Sequence, residues 1–412
     1  MQAARFPSRP RPPSAPRPWA FIAVIGPGVL GLAADNDAGG MLSYLLTGAA
    51  HHLVYFWLEL AAMAPVTYLV QELALRVALA THQPYGRILA QRFGRPWAWA
   101  NGAILQLLNL CNLVTEFVGM ASALNLFGVP WQWGVAAALA LVLAATTWYR
   151  RYGGLERFLL ALAGLNLSWV AALILSPFSR ERVTLALGGA WNGHLAFLGL
   201  ALAGNAIAPW MVYWQQNAVW AGQIQTLSQG RADIRIGVLA QVTMAALVML
   251  IGGVAQGPVR WAHPLTWLAQ ANPWVARTFA LGLFDAGFMA ACTMTLASAW
   301  MWRETFGTAE SARDRRPETP TRGRQATPIH WATLLAAAAL TLSPGLNPGA
   351  VALWAQALGG LWMPASLVFL GLVAQDRRLM GPFYMRGRRR AVLGAAIALF
   401  LFLGIATVLS SL

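Results

Sequence analysis

Long apolar runs recur from Trp19 to the C-terminus, each about the 20 residues a helix needs to cross a bilayer. Eleven spans are expected, at 19–50, 53–78, 96–126, 131–149, 156–177, 194–224, 234–255, 274–305, 331–344, 349–374 and 389–410. Two of them cannot continue as regular helices. The first contains Gly26-Pro27-Gly28 and then Ala34-Asp35-Asn36-Asp37-Ala38-Gly39-Gly40, which puts two acids and two glycines in mid-membrane. The sixth contains Gly204-Asn205-Ala206-Ile207-Ala208-Pro209, where proline removes a hydrogen bond and clashes with the preceding turn. Breaks in the first and sixth spans hold corresponding places in two halves, the pattern of an inverted-repeat transporter with its substrate at the midplane. Position alone carries that inference, since no residue identity links the halves.

Composition narrows the class. Apolar residues make up 58% of the 412 and charged ones 10%, against roughly 25% charged in ordinary globular proteins, so a set of soluble domains is excluded. A net charge of +15 would suit a nucleic-acid binder, but the arginines (there is no lysine) sit in short loops between spans. With the N-terminus inside, even-numbered connections hold Arg76 to Arg95, Arg150 to Arg157, Arg231 and Arg235, Arg313 to Arg324, and Arg377 to Arg390. The opposite loops hold few, with Arg180, Arg182 and Arg260 as exceptions. This positive-inside bias sets the N-terminus in the cytoplasm and the C-terminus outside. Residues 1–18, rich in Pro and Arg without an apolar h-region, are expected to form a disordered cytoplasmic tail; residues 19–412 form one transmembrane domain. Trp131, Trp133, Trp191 and Trp274 suit interfacial anchors. Cys111 and Cys292 follow no metal or disulfide spacing and are expected as small buried hydrophobes.

The fourteen acids separate by position. Glu156, Glu181, Asp233, Glu304, Glu310, Asp314, Glu318 and Asp376 lie in or beside loops, where a solvated face explains them; Glu72 pairs with Arg76 at i+4. Asp35, Asp37, Glu59, Glu116 and Asp285 remain in the membrane, where each needs a partner or a function. Asp37 sits in the break, where freed carbonyls and a carboxylate can replace water around a cation; a helix cap is the alternative. Asp35 is either a second ligand or that cap. Glu116 shares a helical face with Asn112 and Asn109, a polar stripe expected to face the bundle interior, either lining an aqueous path or tying helices together. Glu59 and Asp285 read as interhelical hydrogen-bond partners. All six histidines fall at span ends or in loops, leaving none in mid-membrane to shuttle protons.

These segments resemble the NRAMP family of divalent-metal transporters along nearly the whole chain. Gly26-Pro27-Gly28 with Asp37-Ala38-Gly39-Gly40 is similar to that family's Asp-Pro-Gly-Asn break. Gln71 to Thr81 with Gly86 to Gly94 looks like its second-helix exit, and Thr115-Glu116-Phe117-Val118-Gly119 followed by Ala123 to Gly128 like its third-helix signature. Asp376-Arg377-Arg378-Leu379-Met380-Gly381 resembles the loop after helix ten. The resemblance implies a LeuT-type fold: an all-α membrane bundle of five plus five helices and one extra, with helices 1 and 6 broken, the repeats falling at 19–177 and 194–374 and the extra helix at 389–410. It also implies a bacterial inner membrane, a divalent metal ion as substrate, no cofactor and no obligatory protein partner. Typical members hold Mn²⁺ or Fe²⁺ with an Asp and an Asn on helix one, and with a carbonyl and a Met on helix six. Here Asp37 keeps the Asp, Gly40 stands at the Asn, Asn205 at the carbonyl donor and Ala208 at the Met. Loss of the thioether leaves oxygen donors suited to Mg²⁺ or Mn²⁺, and the small Gly40 and Ala208 are expected to widen the cavity. The pattern looks like the NRAMP-related magnesium transporters, in which the helix-six break is followed by an aromatic and a Trp-Gln pair, here Trp210 and Trp214-Gln215. Leu113 stands where coupled members carry an acid, and Trp210 and Gln215 where they carry histidines, which points to uptake without a proton. Gln356 aligns with a Gln placed near the metal, and interhelical glue is its other reading.

Three rivals remain: a proton-coupled Mn²⁺/Fe²⁺ symporter, a sodium-driven carrier of an organic solute, and an integral-membrane enzyme or scaffold. Against the second, Asp37 puts a negative charge where a substrate carboxylate would meet a helix end. Against the third, the chain has no HExxH, no GxSxG and no paired Cys/His set.

Overall fold

In a bilayer only hydrogen bonding within a segment satisfies the backbone of a helix, and every regular element among the described residues is helical. The computed structural model describes residues 27–148, 152–188, 194–220, 224–255, 259–306 and 326–410. The expected tail 1–18, the first span up to Gly26, Arg150, Arg151, Trp191, and the cluster Arg313 to Arg324 with Glu310, Asp314 and Glu318 lie outside them.

The first span is split into α1 (Pro27–Asp35) and α2 (Ala38–Gly48), and α3 (Leu53–Thr81) makes the second. The short α4 (Tyr85–Phe93) leads into α5 (Arg95–Leu126) and α6 (Trp131–Trp148). The fifth span is α7 (Tyr152–Leu162) and α8 (Ser168–Leu175), joined by a tighter 3-10 segment at Ala163–Leu167, a change of pitch not foreseen. After α9 (Arg180–Leu187), the sixth span is again split, into α10 (His194–Ala206) and α11 (Pro209–Trp220). There follow α12 (Leu227–Val254), α13 (Pro264–Ala271), α14 (Pro273–Phe306), α15 (Ala326–Thr341), α16 (Pro348–Ala374), α17 (Arg377–Met380) and α18 (Arg388–Ser410). Eight helices among the described residues are long and apolar enough to cross a membrane. The other three expected spans are the α1–α2 pair and the shorter apolar stretches Trp131–Thr147 and Pro328–Thr341.

The interruptions have local causes. Asp37 is extended (φ −73°, ψ 169°) and its carboxylate takes the Gly40 N–H, ending one helix and starting another. Pro209 opens α11, a first-turn position that needs no N–H. Proline alone does not break these helices, because Pro65 and Pro364 lie inside the continuous α3 and α16.

Glycines clamp the broken helices to their neighbours. A Cβ at Gly48 of α2 would fall on the Met249 carbonyl of α12, and one at Gly252 of α12 on the Leu45 carbonyl of α2. One at Gly204 of α10 would meet the Gln356 carbonyl of α16, and one at Gly360 of α16 would come within 2.6 Å of the Leu200 carbonyl. Backbones approach this closely only where side chains are missing.

Charge placement bears out the Glu72–Arg76 pair and extends it, and it differs from expectation at two other acids. Glu72 takes three guanidinium groups: Arg76 Nη2 at 3.1 Å, Arg231 Nη2 at 2.6 Å and Arg389 Nε at 2.8 Å, tying α3, α12 and α18 together. Asp233 is buried, not solvated, and accepts the Val29 N–H at 3.1 Å in the first turn of α1. Glu304 is not on a solvated face either, since both its carboxylate oxygens are buried. With 34 residues, α14 runs about 51 Å at 1.5 Å per residue and carries Glu304 in its last turn.

Gly252→Ala is therefore expected to lower the thermal midpoint in detergent, since overpacking against a backbone carbonyl costs about 1–3 kcal/mol. Gly394→Ala, where an added Cβ meets nothing within 4 Å, is expected to leave it unchanged. Light-scattering melts of the purified protein compare the two.

Candidate functional site

Each break leaves helix-end groups without intrahelical partners, and the surrounding helices supply them. At the start of α2, Asp37 Oδ1 accepts the Gly40 N–H at 2.5 Å, while Glu116 Oε2 of α5 accepts the Ala38 N–H at 2.8 Å. Two carboxylates thus meet the positive end of one half-helix. At the end of α10, the Ala206 carbonyl accepts Thr67 Oγ1 at 3.0 Å and Gln241 Nε2 at 3.3 Å.

Of the two acids in the first break, Asp37 is the cap. Asp35, the last residue of α1, turns to α12 and accepts Gln241 Nε2 at 2.6 Å, and Asn36 Nδ2 donates to the Gln241 carbonyl at 3.4 Å. Asp37 faces α16 as well: Gln356 Nε2 lies 3.4 Å from its Oδ1. Both contacts fall on Oδ1, so Oδ2 is free as an acceptor among the described residues.

Asn205, in the last turn of α10, is buried, and neither atom of its amide has a hydrogen-bond partner. The amide fills the space above Gly40, where an added Cβ would collide with all three of its terminal atoms. The room expected from Gly40 is therefore taken up, because the side chain from α10 occupies it. Tyr44, one turn along α2, also has a buried hydroxyl without a partner, close to Asn205. Asp37, Gly40, Asn205 and Gln356 thus come together at the crossing of α2, α10 and α16.

Ala208 lies in the second break, and its N–H points at the sulfur of Met211 at 3.5 Å. That thioether, three residues past Ala208, was not foreseen; its sulfur occupies the first turn of α11. Glu116 is fully buried and its Oε1 takes Thr115 Oγ1 at 3.2 Å; Thr115 in turn donates to the Asn112 carbonyl at 2.7 Å. Asn109, further along the stripe, donates to Ser298 of α14 at 2.7 Å. Glu116 and Asn112 thus stand beside the first break, while Trp210 and Gln215 are buried on α11. The one buried histidine among the described residues, His330, lies 3.0 Å from Thr146 Oγ1, away from both breaks. A cavity of about 510 Å³, lined by Asn125, Trp131, His263 and Ser343 among others, lies at the end of the bundle where α5 stops, and none of the candidate residues lines it.

Residues 28–410 match the family model described as natural resistance-associated macrophage protein-like. A protein of Deinococcus radiodurans named divalent metal cation transporter MntH is 22% identical over 403 residues, 92% of this chain and 88% of the other. Among solved structures, the Eremococcus coleocola manganese transporter is similar with a TM-score of 0.75 at 17% identity, over 96% of this chain and 88% of that one. MhsT, solved with L-phenylalanine, is similar with a TM-score of 0.61 at 14% identity, over 93% and 97%. The fold is the LeuT type that the family resemblance implies.

Glu116→Gln keeps an oxygen for the Ala38 N–H and is expected to melt close to the parent. Glu116→Ala strands that buried N–H, a loss of roughly 1–3 kcal/mol, and is expected to melt lower. Thermal unfolding of both variants in the same detergent checks the difference.

Proposed function

The chain belongs to the natural resistance-associated macrophage protein family, and from that membership we propose that it imports a divalent metal cation by alternating access. Its preferred cargo is Mg²⁺, with Mn²⁺ also carried, and no proton is coupled. The arginine-rich ends of the spans face the cytoplasm, as the positive-inside bias suggests.

The observation that carries the proposal is the pairing of a free carboxylate oxygen on Asp37 with the unpartnered amide of Asn205, both buried between two helix breaks. Burying unmet polar atoms is costly, and a cation that uses them as ligands removes the cost. The donors are hard oxygens: the Asp37 carboxylate, Asn205 Oδ1 or its carbonyl, and Gln356 once its amide is turned. So few direct ligands suit an ion that keeps part of its water, as Mg²⁺ does. Asp35, bound to Gln241, adds negative charge without direct contact. Glu116 holds α2 in place, with Asn112 behind it, and Trp210 and Gln215 flank the inward route. A divalent ion moving inward gains about 4.6 kcal/mol per 100 mV of inside-negative potential, enough to drive uptake alone.

One observation favours the second reading, a proton-coupled Mn²⁺ symporter: Met211 places a thioether beside Ala208. If α11 shifted to free that sulfur, softer ions would gain a ligand.

Asp37→Ala in proteoliposomes is expected to bring Mg²⁺ and Mn²⁺ flux to background while the protein stays monodisperse, with Cd²⁺ a poor competitor of the parent. A lumenal pH dye is expected to stay silent during uptake, and metal-dependent acidification would refute the uncoupled mechanism. Gly40→Ala is expected to push the Asn205 amide aside and raise the half-saturating Mg²⁺ concentration about tenfold, roughly 1.4 kcal/mol of binding.

A further inference from the structure

Toward the arginine-rich end, three buried indoles close the interior below the breaks. Trp210 and Trp214, one turn apart on α11, have ring centroids 6.2 Å apart, and Trp214 lies 5.3 Å from Trp300 of α14. A Cβ at Gly31 would come within 2.9 Å of the Trp214 ring, so α1 closes on the same plug.

Glu304 stands one turn beyond Trp300, on the same face of α14. Both of its carboxylate oxygens are buried without a full hydrogen bond, and the Asn217 amide and the Gly86 N–H at the start of α4 face them. The nearest counter-charge, the guanidinium of Arg303, forms no hydrogen bond to them. Around this carboxylate other polar groups are stranded too. Asn217 of α11 lies beside it; its Nδ2 donates to the Tyr213 carbonyl at 3.0 Å, while its Oδ1 is buried without a partner. The hydroxyls of Thr305 and of Tyr85, on α4, are buried and unpartnered as well. Tyr85 packs edge-on against Tyr213 at 5.2 Å, and the Tyr213 hydroxyl is held by Asn101 of α5 at 2.8 Å. Next to Tyr85, Gly86 fits α4 against α14, where an added Cβ would lie 2.6 Å from Thr305 Oγ1 and 3.3 Å from Glu304 Cβ. Three elements, α4, α11 and α14, thus bring together one carboxylate and three oxygens without hydrogen-bond partners. The set has no sulfur and no imidazole.

Hard oxygen donors around one negative charge bind a divalent cation that keeps several waters. We propose that Glu304, with Asn217, Thr305 and Tyr85, is a second cation site, which holds the ion after it passes the indole plug and before it leaves the protein. The proposal rests on the inward direction of transport argued above; the site at Asp37 is separate and lies on the far side of the plug. An ion leaving Asp37 would otherwise enter an apolar constriction with no charge ahead of it. A carboxylate one turn past the plug draws it through.

The test titrates Mn²⁺ alone into full-length protein in nanodiscs and reads bound ion from loss of the free Mn²⁺ spin-resonance signal. The parent is expected to bind two ions, Asp37→Ala one, Glu304→Gln one and the double variant none. In the Asp37→Ala background, Asn217→Ala is expected to weaken the remaining ion about tenfold, an independent check should Glu304→Gln fold poorly. In vesicles, Glu304→Gln is expected to cut maximal Mn²⁺ flux five- to tenfold while leaving the half-saturating external concentration within twofold. A folded Asp37→Ala protein that binds no ion overturns the second site, as does a remaining ion indifferent to both Glu304→Gln and Asn217→Ala. Failure of the Asp37 site shows differently: the Asp37→Ala variant would then bind two ions and transport like the parent.

Discussion

A helix that stops inside an apolar medium must have its free N–H and C=O groups met by protein, because no bulk water is there to meet them. This chain stops two helices that way, and a set of its buried polar side chains answers them. Asp37 and Glu116 take the N–H groups at the start of α2; Thr67 and Gln241 give hydrogen bonds to the carbonyl at the end of α10. The donors and acceptors come from α3, α5 and α12, so each break is held by helices that are themselves continuous. The same carboxylate of Asp37 that caps α2 keeps a second oxygen in reserve. Capping thus does not compete with the proposed ion binding, since it occupies only one of the two oxygens.

The spans and the breaks were legible because both are written in local chemistry. Apolar length fixes a span, and Asp-Asn-Asp with paired glycines, or Ala-Pro after Gly-Asn, forbids a regular helix wherever it occurs. What depended on distant contacts was not legible. Asp35 and Asp37 are the same residue two places apart, and only Gln241, some two hundred residues on, decides that the first faces α12 and the second caps α2. Gly40 reads as empty space until Asn205 is found lying over it. Glu304 and Asp233 sit among arginines near span ends, where solvation is the ordinary outcome. Their burial comes from the packing of α4 on α14 and from the N-terminus of α1, features with no signature of their own.

Glycine has two different tasks here. At Gly48, Gly252, Gly204 and Gly360 it lets backbones touch, which fixes α2 on α12 and α10 on α16. At Gly40 it makes room for a neighbour's functional group. The first kind sets where the half-helices lie; the second sets which amide stands beside Asp37. Substitution at either would move the same site, but only the first would loosen the fold.

Selectivity on the proposed reading follows from how the ligands are supplied. A carboxylate and an amide from opposite half-helices can grip an ion from two sides, yet both belong to segments that end at the site. Such a site is short of donors, and an ion stripped of all its water would be left under-coordinated there. An ion that keeps several waters fits better, because the waters reach groups such as the Tyr44 hydroxyl that protein ligands leave unmet. Met211 would change this only by releasing the N–H of Ala208, which would in turn strand a donor at the start of α11. The thioether is thus held by the break itself, and on the proposed reading a hard-ion preference follows from keeping α11 capped.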